Sequence, residues 1–140
     1  MDEKLQNIVS TMRSKDTFLQ WLNPSAMKVE KGYCEIVLQI RDNFLNHVGT
    51  VHGGITFSLA DTAFAYAANS HNRVAVALDV SIAYPNAVFS GDTLTAVAQE
   101  DFLGNKTAIY RVTVTNQHNA IVAIFNGTVY RKKETHIPDM

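Results

Sequence analysis

The sequence predicts an α+β domain in which an antiparallel sheet of five or six strands wraps around one long buried helix. Residues 55–70 are apolar on most sides of a helix, which is typical of a helix buried on all faces. Four β-rich segments joined by short turns follow, and such strands pair antiparallel. A single long apolar helix needs a sheet to cover it. With 140 residues, 46% of them hydrophobic, the chain is expected to form one domain over residues 1–140.

The first third of the chain predicts helix and then a hairpin. Residues 2–22 carry apolar side chains at spacings of three and four, which indicates one or two short amphipathic helices ending at Asn23-Pro24. Residues 26–40 alternate on both sides of a Lys-Gly pair and predict a β-hairpin. A loop then leads to the glycine pair at which the buried helix begins.

The buried helix is predicted from near Gly53 to about Ser70. The strands after it are predicted over residues 74–84, 93–102, 107–115 and 120–130. The outer face of their sheet keeps apolar side chains, which indicates packing against another copy of the chain; they are Val97, Ile109 and Ile121.

Composition excludes several classes of protein. A net charge of -1 argues against a nucleic-acid surface, which would need a basic stripe. No apolar run is long enough to span a membrane, and the first residues carry no signal-peptide core. The single cysteine, Cys34, cannot form an intrachain disulfide, so we expect a cytoplasmic protein with Cys34 in the core. The histidines show no metal-ligand spacing, and we expect no metal.

Asp61 is the unusual residue of the buried helix. Aspartate is a poor helix former and is almost never fully buried without a partner. Its position in an alanine-rich apolar helix therefore points to chemistry. The alternative is that Asp61 is an N-cap that divides the segment into two helices.

The helix also begins at Gly53-Gly54, where backbone amides at its positive end can stabilise an oxyanion. Eight residues separate Gly53 from Asp61, which is roughly 12 Å along a helix axis. One small reacting group cannot contact both in one chain. If both act on one group, two antiparallel helices in a two-fold dimer would form two shared sites.

The chemistry of such a site is acyl transfer. Amides at the helix start polarise a carbonyl, and a carboxylate opposite can attack it or activate a water. The amide of Asn46 could orient the carboxylate or the water, or it could be an ordinary turn residue. His52 could take part or simply brace the turn. Gly54 lets a substrate approach the backbone closely.

A family resemblance rests on residues 46–69, NHVGTVHGGITFSLADTAFAYAAN, and on GDTL at 91–94. This pattern resembles the hotdog-fold acyl-CoA thioesterases of the phenylacetate-degradation, or PaaI-like, type. The resemblance implies Asp61 as nucleophile or general base, Gly53 as the amide donor, Asn46 as the orienting residue and His52 beside the glycines. It also implies dimers that pair into tetramers.

The sequence thus predicts hydrolysis of acyl-CoA thioesters without a metal or organic cofactor. Phe57 and Phe64 lie four residues before and three after Asp61, and they favour an aromatic or medium-length acyl group unless they only fill the core. Lys106, in the Gly-Asn-Lys turn, could contact a phosphate of coenzyme A. Two alternatives stay open: a module that binds acyl-CoA without cleaving it, and a hydratase or dehydratase.

Overall fold

The computed structural model describes residues 2–139 and confirms the α+β class with six strands. The helices are α1 (Glu3–Lys15), α2 (Thr17–Leu22) and α3 (Gly53–Asn69), and a 3₁₀ turn covers Asp42–Phe44. The strands are β1 (Ala26–Glu30), β2 (Tyr33–Gln39), β3 (Ala75–Ala83), β4 (Thr93–Leu103), β5 (Thr107–Thr115) and β6 (Ile121–Arg131). No helix within residues 2–139 is long and apolar enough to cross a membrane.

The two amphipathic helices and the hairpin are confirmed. Asp2 caps α1 by accepting a 2.7 Å hydrogen bond from the Leu5 amide, and Asp16 caps α2 in the same way. Helix α2 ends at Asn23, whose φ of 53° is left-handed, just before Pro24. β1 and β2 then pair antiparallel.

The sheet has the order β1-β2-β4-β5-β6-β3, and every neighbouring pair is antiparallel. Strand β3 therefore lies at the edge beside β6 and does not pair with β4, although short turns predict pairing between consecutive strands. Residues 84–92 cause this departure, because they form a longer connection that passes the start of α3. Two of its contacts show the path: Tyr84 bonds to Gly53, and Phe89 pairs with Thr50.

Helix α3 lies on the inner face of the sheet, mainly against β2, β4 and β5. Phe64 is 2% exposed and packs on Tyr110 and Phe125. Gly127 makes room for it, because a Cβ there would lie 2.6 Å from the Phe64 ring. Cys34 is fully buried on β2, as predicted for a core residue.

The C-terminal end of α3 is tied into the protein by side-chain hydrogen bonds. Asn69 donates to the Ala65 and Ala75 carbonyls (2.8 and 3.2 Å) and accepts from the Ala75 amide (2.9 Å). His136 Nε2 lies 2.7 Å from the same Asn69 oxygen, and Asn72 accepts from the His136 amide. These bonds fix the start of β3 and the C-terminal tail against the helix. We call this region, residues 69–75 with 134–139, the closed end.

Candidate active site

One face of α3 is not covered by the sheet. Its residues that are not buried include four at spacings of four, three and four, which place them on one side of the helix: Gly54, Ser58, Asp61 and Ala65. We call this stripe the open face. It carries the only carboxylate of α3.

Asp61 lies in the interior of α3, and the helix is continuous through it. The alternative in which Asp61 is an N-cap dividing two helices is therefore wrong. Within residues 2–139, no hydrogen bond or ion pair involves the Asp61 carboxylate. Partial burial raises the pKa of that carboxyl group above its usual value of 3.8. A carboxylate with a raised pKa is a stronger base, which suits proton transfer near neutral pH.

His52 forms the start of the helix. It is the N-cap residue, and its Nδ1 accepts a 2.8 Å hydrogen bond from the Gly54 amide. A Cβ at position 54 would lie 2.9 Å from that Nδ1, so the folded-back imidazole explains why residue 54 is glycine. The neighbouring Gly53 amide has no acceptor within residues 2–139. The helix start thus presents one unbonded N–H at its positive end.

Asn46 lies on the loop before α3, and its side chain is engaged locally. Its oxygen accepts from the Val48 and Thr50 amides at 3.0 and 3.2 Å, and its nitrogen donates to the Thr50 hydroxyl at 3.0 Å. Among the described residues none of its hydrogen bonds reaches Asp61. Within one chain Asn46 shapes the loop that leads to His52, so any contact with the carboxylate would have to come from another chain.

Of the proposed substrate-contacting residues, Phe57 and Phe64 both pack against Phe125, whereas Lys106 lies at the other end of the sheet from Gly53. Phe57 is partly exposed and packs edge-on against Phe125, with ring centroids 5.6 Å apart. Phe64 is buried in the core, which favours the packing role left open above. Lys106 is exposed in the β4–β5 turn, where its carbonyl accepts from the Arg131 amide. That turn meets β6 at its C-terminal end, whereas Gly53 is contacted by Tyr84 beyond the far end of β3.

Strand β3, which contacts α3, has an unpaired edge. β3 has a sheet partner on one side only, and a register shift lies between Ala77 and Asp79. Two large apolar side chains of this strand face solvent: Val76 is 43% exposed and Leu78 is 60% exposed. An apolar, unpaired edge beside a half-covered helix is a surface suited to pairing with another chain.

Tyr84 is a site residue that the sequence did not indicate. It follows β3 next to Pro85, a position typical of a turn, and no motif links it to the glycine pair. In the structure its hydroxyl donates a 3.0 Å hydrogen bond to the Gly53 carbonyl. The contact joins residues 31 positions apart in the chain, so local pattern carries no signal for it.

Comparisons with known proteins agree with this geometry. A family model described as the thioesterase superfamily matches residues 48–123. Acyl-coenzyme A thioesterase PaaI of Escherichia coli is 36% identical over 94% of this chain and 94% of its own. The structure of E. coli PaaI matches with a TM-score of 0.90 over 94% of this chain and 96% of that one.

Two further solved structures are similar over most of the chain. A variant of the phenylacetic acid degradation protein PaaI from Thermus thermophilus has a TM-score of 0.80 and 36% identity, covering 84% of this chain and 100% of its own. A Streptococcus mutans protein bound to acetyl CoA has a TM-score of 0.75 and 33% identity, and the match covers 78% of this chain and 89% of that one. With a six-stranded sheet on one central helix, the fold is of the hotdog type, and the chain belongs to the thioesterase superfamily as a thioester hydrolase of the PaaI type.

Proposed function

We propose that this chain hydrolyses acyl-CoA thioesters at two equivalent sites of a dimer, each built from Asp61 of one chain and the Gly53 amide of the other. The E. coli relative is named an acyl-coenzyme A thioesterase, and the Streptococcus mutans protein is bound to acetyl CoA. Both support coenzyme A as the thiol part of the substrate. The proposal extends the family assignment to particular residues.

One observation carries it: among the described residues, the carboxylate on the open face of α3 has no partner, and the amide at the start of the same helix has no acceptor. Gly53 and Asp61 are eight residues apart, or roughly 12 Å along the helix axis, so within one chain they cannot both contact the same carbonyl group. A second copy packed antiparallel on the open face would bring Asp61 opposite the other Gly53. Two-fold symmetry then repeats the arrangement.

The reaction uses these two groups in opposite roles. The Gly53 amide donates to the thioester oxygen and stabilises the charge that develops there. Asp61 takes a proton from water while the water oxygen bonds to the carbonyl carbon, or Asp61 attacks that carbon itself and water then cleaves the anhydride. The carbon–sulfur bond breaks with its electron pair on sulfur, and the coenzyme A thiolate accepts a proton. The products are a carboxylate and a free thiol.

The other residues have supporting roles in the proposal. Asn46 holds the loop that presents His52 and, from a second chain, would orient the water. His52 and Gly54 shape the helix start, because the His52 ring occupies the space of the missing Cβ at Gly54; Gly54 therefore serves the cap and not the approach of the substrate. Phe57 lines the acyl pocket with its exposed part, and Phe64 supports it from the core. Lys106 contacts a phosphate of coenzyme A.

The unpaired β3 edge is the surface that a second copy would cover, because it exposes backbone hydrogen-bonding groups and the apolar side chains of Val76 and Leu78. The outer face of the sheet offers a second contact, since Ile109, Ile121 and Ile124 are each about two-fifths exposed there, at 41%, 39% and 38%. We propose that the first contact makes the dimer and that dimers pair into a homotetramer.

Mixing two inactive variants tests the shared site. Asp61→Asn removes the base, and Gly53→Pro removes the amide donor. After subunit exchange, mixed dimers keep one intact site, so activity should return to roughly a quarter of wild type per total chain. The readout is release of free thiol from a coenzyme A thioester.

The controls are each variant alone and evidence of exchange by mass spectrometry of differently tagged chains. Proline at the first position of a helix is tolerated in general, so we expect Gly53→Pro to fold, and circular dichroism of the purified variant checks this. No recovery of activity between folded variants that exchange would contradict the shared site.

A substrate panel tests the acyl group. Phenylacetyl-, hexanoyl- and palmitoyl-CoA are compared by kcat/KM, and we expect the first two to be preferred because aromatic walls between small residues suit a ring or a short chain. A clear preference for palmitoyl-CoA would contradict the pocket and leave thioester hydrolysis standing. No thiol release from any coenzyme A thioester would contradict the proposed function.

A further inference from the structure

We propose that Tyr84 is a positioning residue that sets the hydrogen-bonding state of His52 through the Gly53–Gly54 peptide group. The phenol donates to the Gly53 carbonyl, and the amide of the same peptide donates to His52 Nδ1. The imidazole is thereby held with Nε2–H as its outward donor. The catalytic consequence rests on the proposed function, whereas the hydrogen-bonded chain itself does not.

The geometry forms one continuous relay. The Tyr84 hydroxyl lies 3.0 Å from the Gly53 oxygen, and the Gly54 nitrogen lies 2.8 Å from His52 Nδ1. The oxygen and the nitrogen belong to one peptide group. A donor on the carbonyl polarises the amide at the other end, so each bond strengthens the next. Tyr84 also covers Gly53, because its hydroxyl oxygen and the ring carbon that carries it both lie 3.5 Å from the Cβ position there.

The relay fixes the tautomer of His52. A backbone amide can only donate, so Nδ1 must offer its lone pair, and the proton of the neutral imidazole must be on Nε2. A proton on Nδ1 would remove the acceptor and the helix cap with it. His52 is exposed, and Nε2 is the ring nitrogen opposite the one that the cap uses, so Nε2–H is free to donate outside the cap. In the proposed reaction this makes His52 a hydrogen-bond donor to the substrate and excludes Nδ1 as a base.

Tyr84 suits this role in two ways. Desolvation raises the pKa of its phenol above 10.0, so the group keeps its proton at neutral pH and stays a donor. The side chain is 48% exposed, so its hydrogen bond competes with water and adds little to stability. The bond therefore acts mainly by orienting the peptide group.

The test is Tyr84→Phe, which keeps the ring over Gly53 and removes only the hydroxyl. Tyr130→Phe is the matched control, since Tyr130 is similarly exposed at 42% and lies on β6. Nitrogen NMR of the imidazole in substrate-free protein reports the His52 tautomer, and steady-state kinetics report kcat and KM. We expect Tyr84→Phe to raise the minor Nδ1–H tautomer of His52 measurably above its wild-type share and to lower kcat roughly tenfold. The Gly54 amide still keeps Nε2–H the major form, so KM and Tm should change little. Tyr130→Phe should match wild type.

The outcomes separate this inference from the proposed function. An unchanged His52 tautomer in Tyr84→Phe overturns it, whatever the kinetics. A changed tautomer with unchanged kcat overturns the positioning role. If Tyr84→Phe has a lower Tm but a wild-type kcat at temperatures where it is folded, the contact is merely structural, and the positioning role is also overturned. If the wild-type protein releases no thiol from any acyl-CoA, the proposed function is wrong. The NMR result still shows whether Tyr84 controls the His52 tautomer.

Discussion

The two ends of α3 use their polar groups in opposite ways. At the closed end, Asn69 makes three hydrogen bonds to backbone groups, and Ser70 both donates to the Ala67 carbonyl and accepts from the Gly32 amide. From the start of the helix to its middle, the Gly53 amide and the Asp61 carboxylate have no protein partner within residues 2–139. The same helix is thus tied down at one end and left with free hydrogen-bonding groups at the other.

The difference separates stability from function. Polar groups that are buried and bonded hold the fold, and losing one partner leaves the other unsatisfied. Polar groups that are half-buried and unbonded cost stability, and they are available to a substrate or a second chain. Mutations at the two ends should therefore change different quantities.

Asp61→Asn should have the largest effect on activity. The amide keeps the volume of the side chain but cannot attack or accept a proton, so we expect kcat to fall roughly 10²- to 10⁴-fold. Because no residue from 2 to 139 bonds to the Asp61 carboxylate, its removal should leave Tm equal or slightly higher. Thiol release and thermal denaturation measure the two quantities. A rate near that of wild type would contradict the assignment.

Asn69→Ala should have the converse effect. It leaves the Ala75 amide and two carbonyls without their partner, and we expect a loss of about 2–3 kcal/mol in the free energy of unfolding. For a chain of this size that lowers Tm by roughly 5–10 °C. At 25 °C, where the variant is folded, kcat should stay within about twofold of wild type. Asn126→Ala, at an exposed position on β6, is the control and should change neither quantity. Equal Tm values for the two variants would contradict the role of the closed end.

Gly53→Ala and Gly54→Ala should differ in stability although they are neighbours. Both gain helix propensity of up to about 1 kcal/mol. At position 53 the new Cβ makes an ordinary 3.5 Å contact with Tyr84. At position 54 it would lie 2.9 Å from His52 Nδ1, so the ring must move and its cap, worth about 1 kcal/mol, is lost. Thermal denaturation should therefore place Gly53→Ala a few degrees above Gly54→Ala, and the reverse order would contradict the cap.

The smallest effect is the dependence on pH. Burial raises the Asp61 pKa above 3.8, so the folded chain binds that proton more tightly than the unfolded chain does. Stability is therefore lost as pH rises through the raised pKa, and any Tm advantage of Asp61→Asn should shrink as pH falls through it. The acid limb of kcat/KM should fall in the same range, above the usual aspartate value. An acid limb at or below 3.8 would contradict the raised pKa.

Local patterns predict most of this fold because its elements are locally determined. The bounds of α3 follow from the apolar run and the glycine pair, and the last hairpins follow from their turn residues. The place of β3 beside β6 does not follow, because pairing partners beyond the next strand depend on how residues 84–92 pass the start of α3. The sequence indicates a turn over these residues, but it does not indicate the direction in which they cross the protein.

The candidate site can be predicted from the sequence to the extent that its residues lie on one helix. Asp61, Gly53 and His52 follow from the segment that forms α3 and its cap. Tyr84 does not, since its role is a contact between remote residues. Nor does the closed end, where Asn69, Asn72 and His136 meet only after the tail folds back. Asparagine in a sequence indicates a turn or a cap equally well, and only the fold decides which backbone groups it bonds.

The buried thiol of Cys34 has a consequence for an enzyme whose product is itself a thiol. Cys34 is fully buried on β2, and burial raises its pKa to about 12. At neutral pH only about one such group in 10⁵ is a thiolate, the form that attacks disulfides. Burial therefore disfavours mixed disulfides between Cys34 and the coenzyme A released during turnover. For the same reason we expect the folded chain to contribute little signal of its own in a thiol-reagent assay.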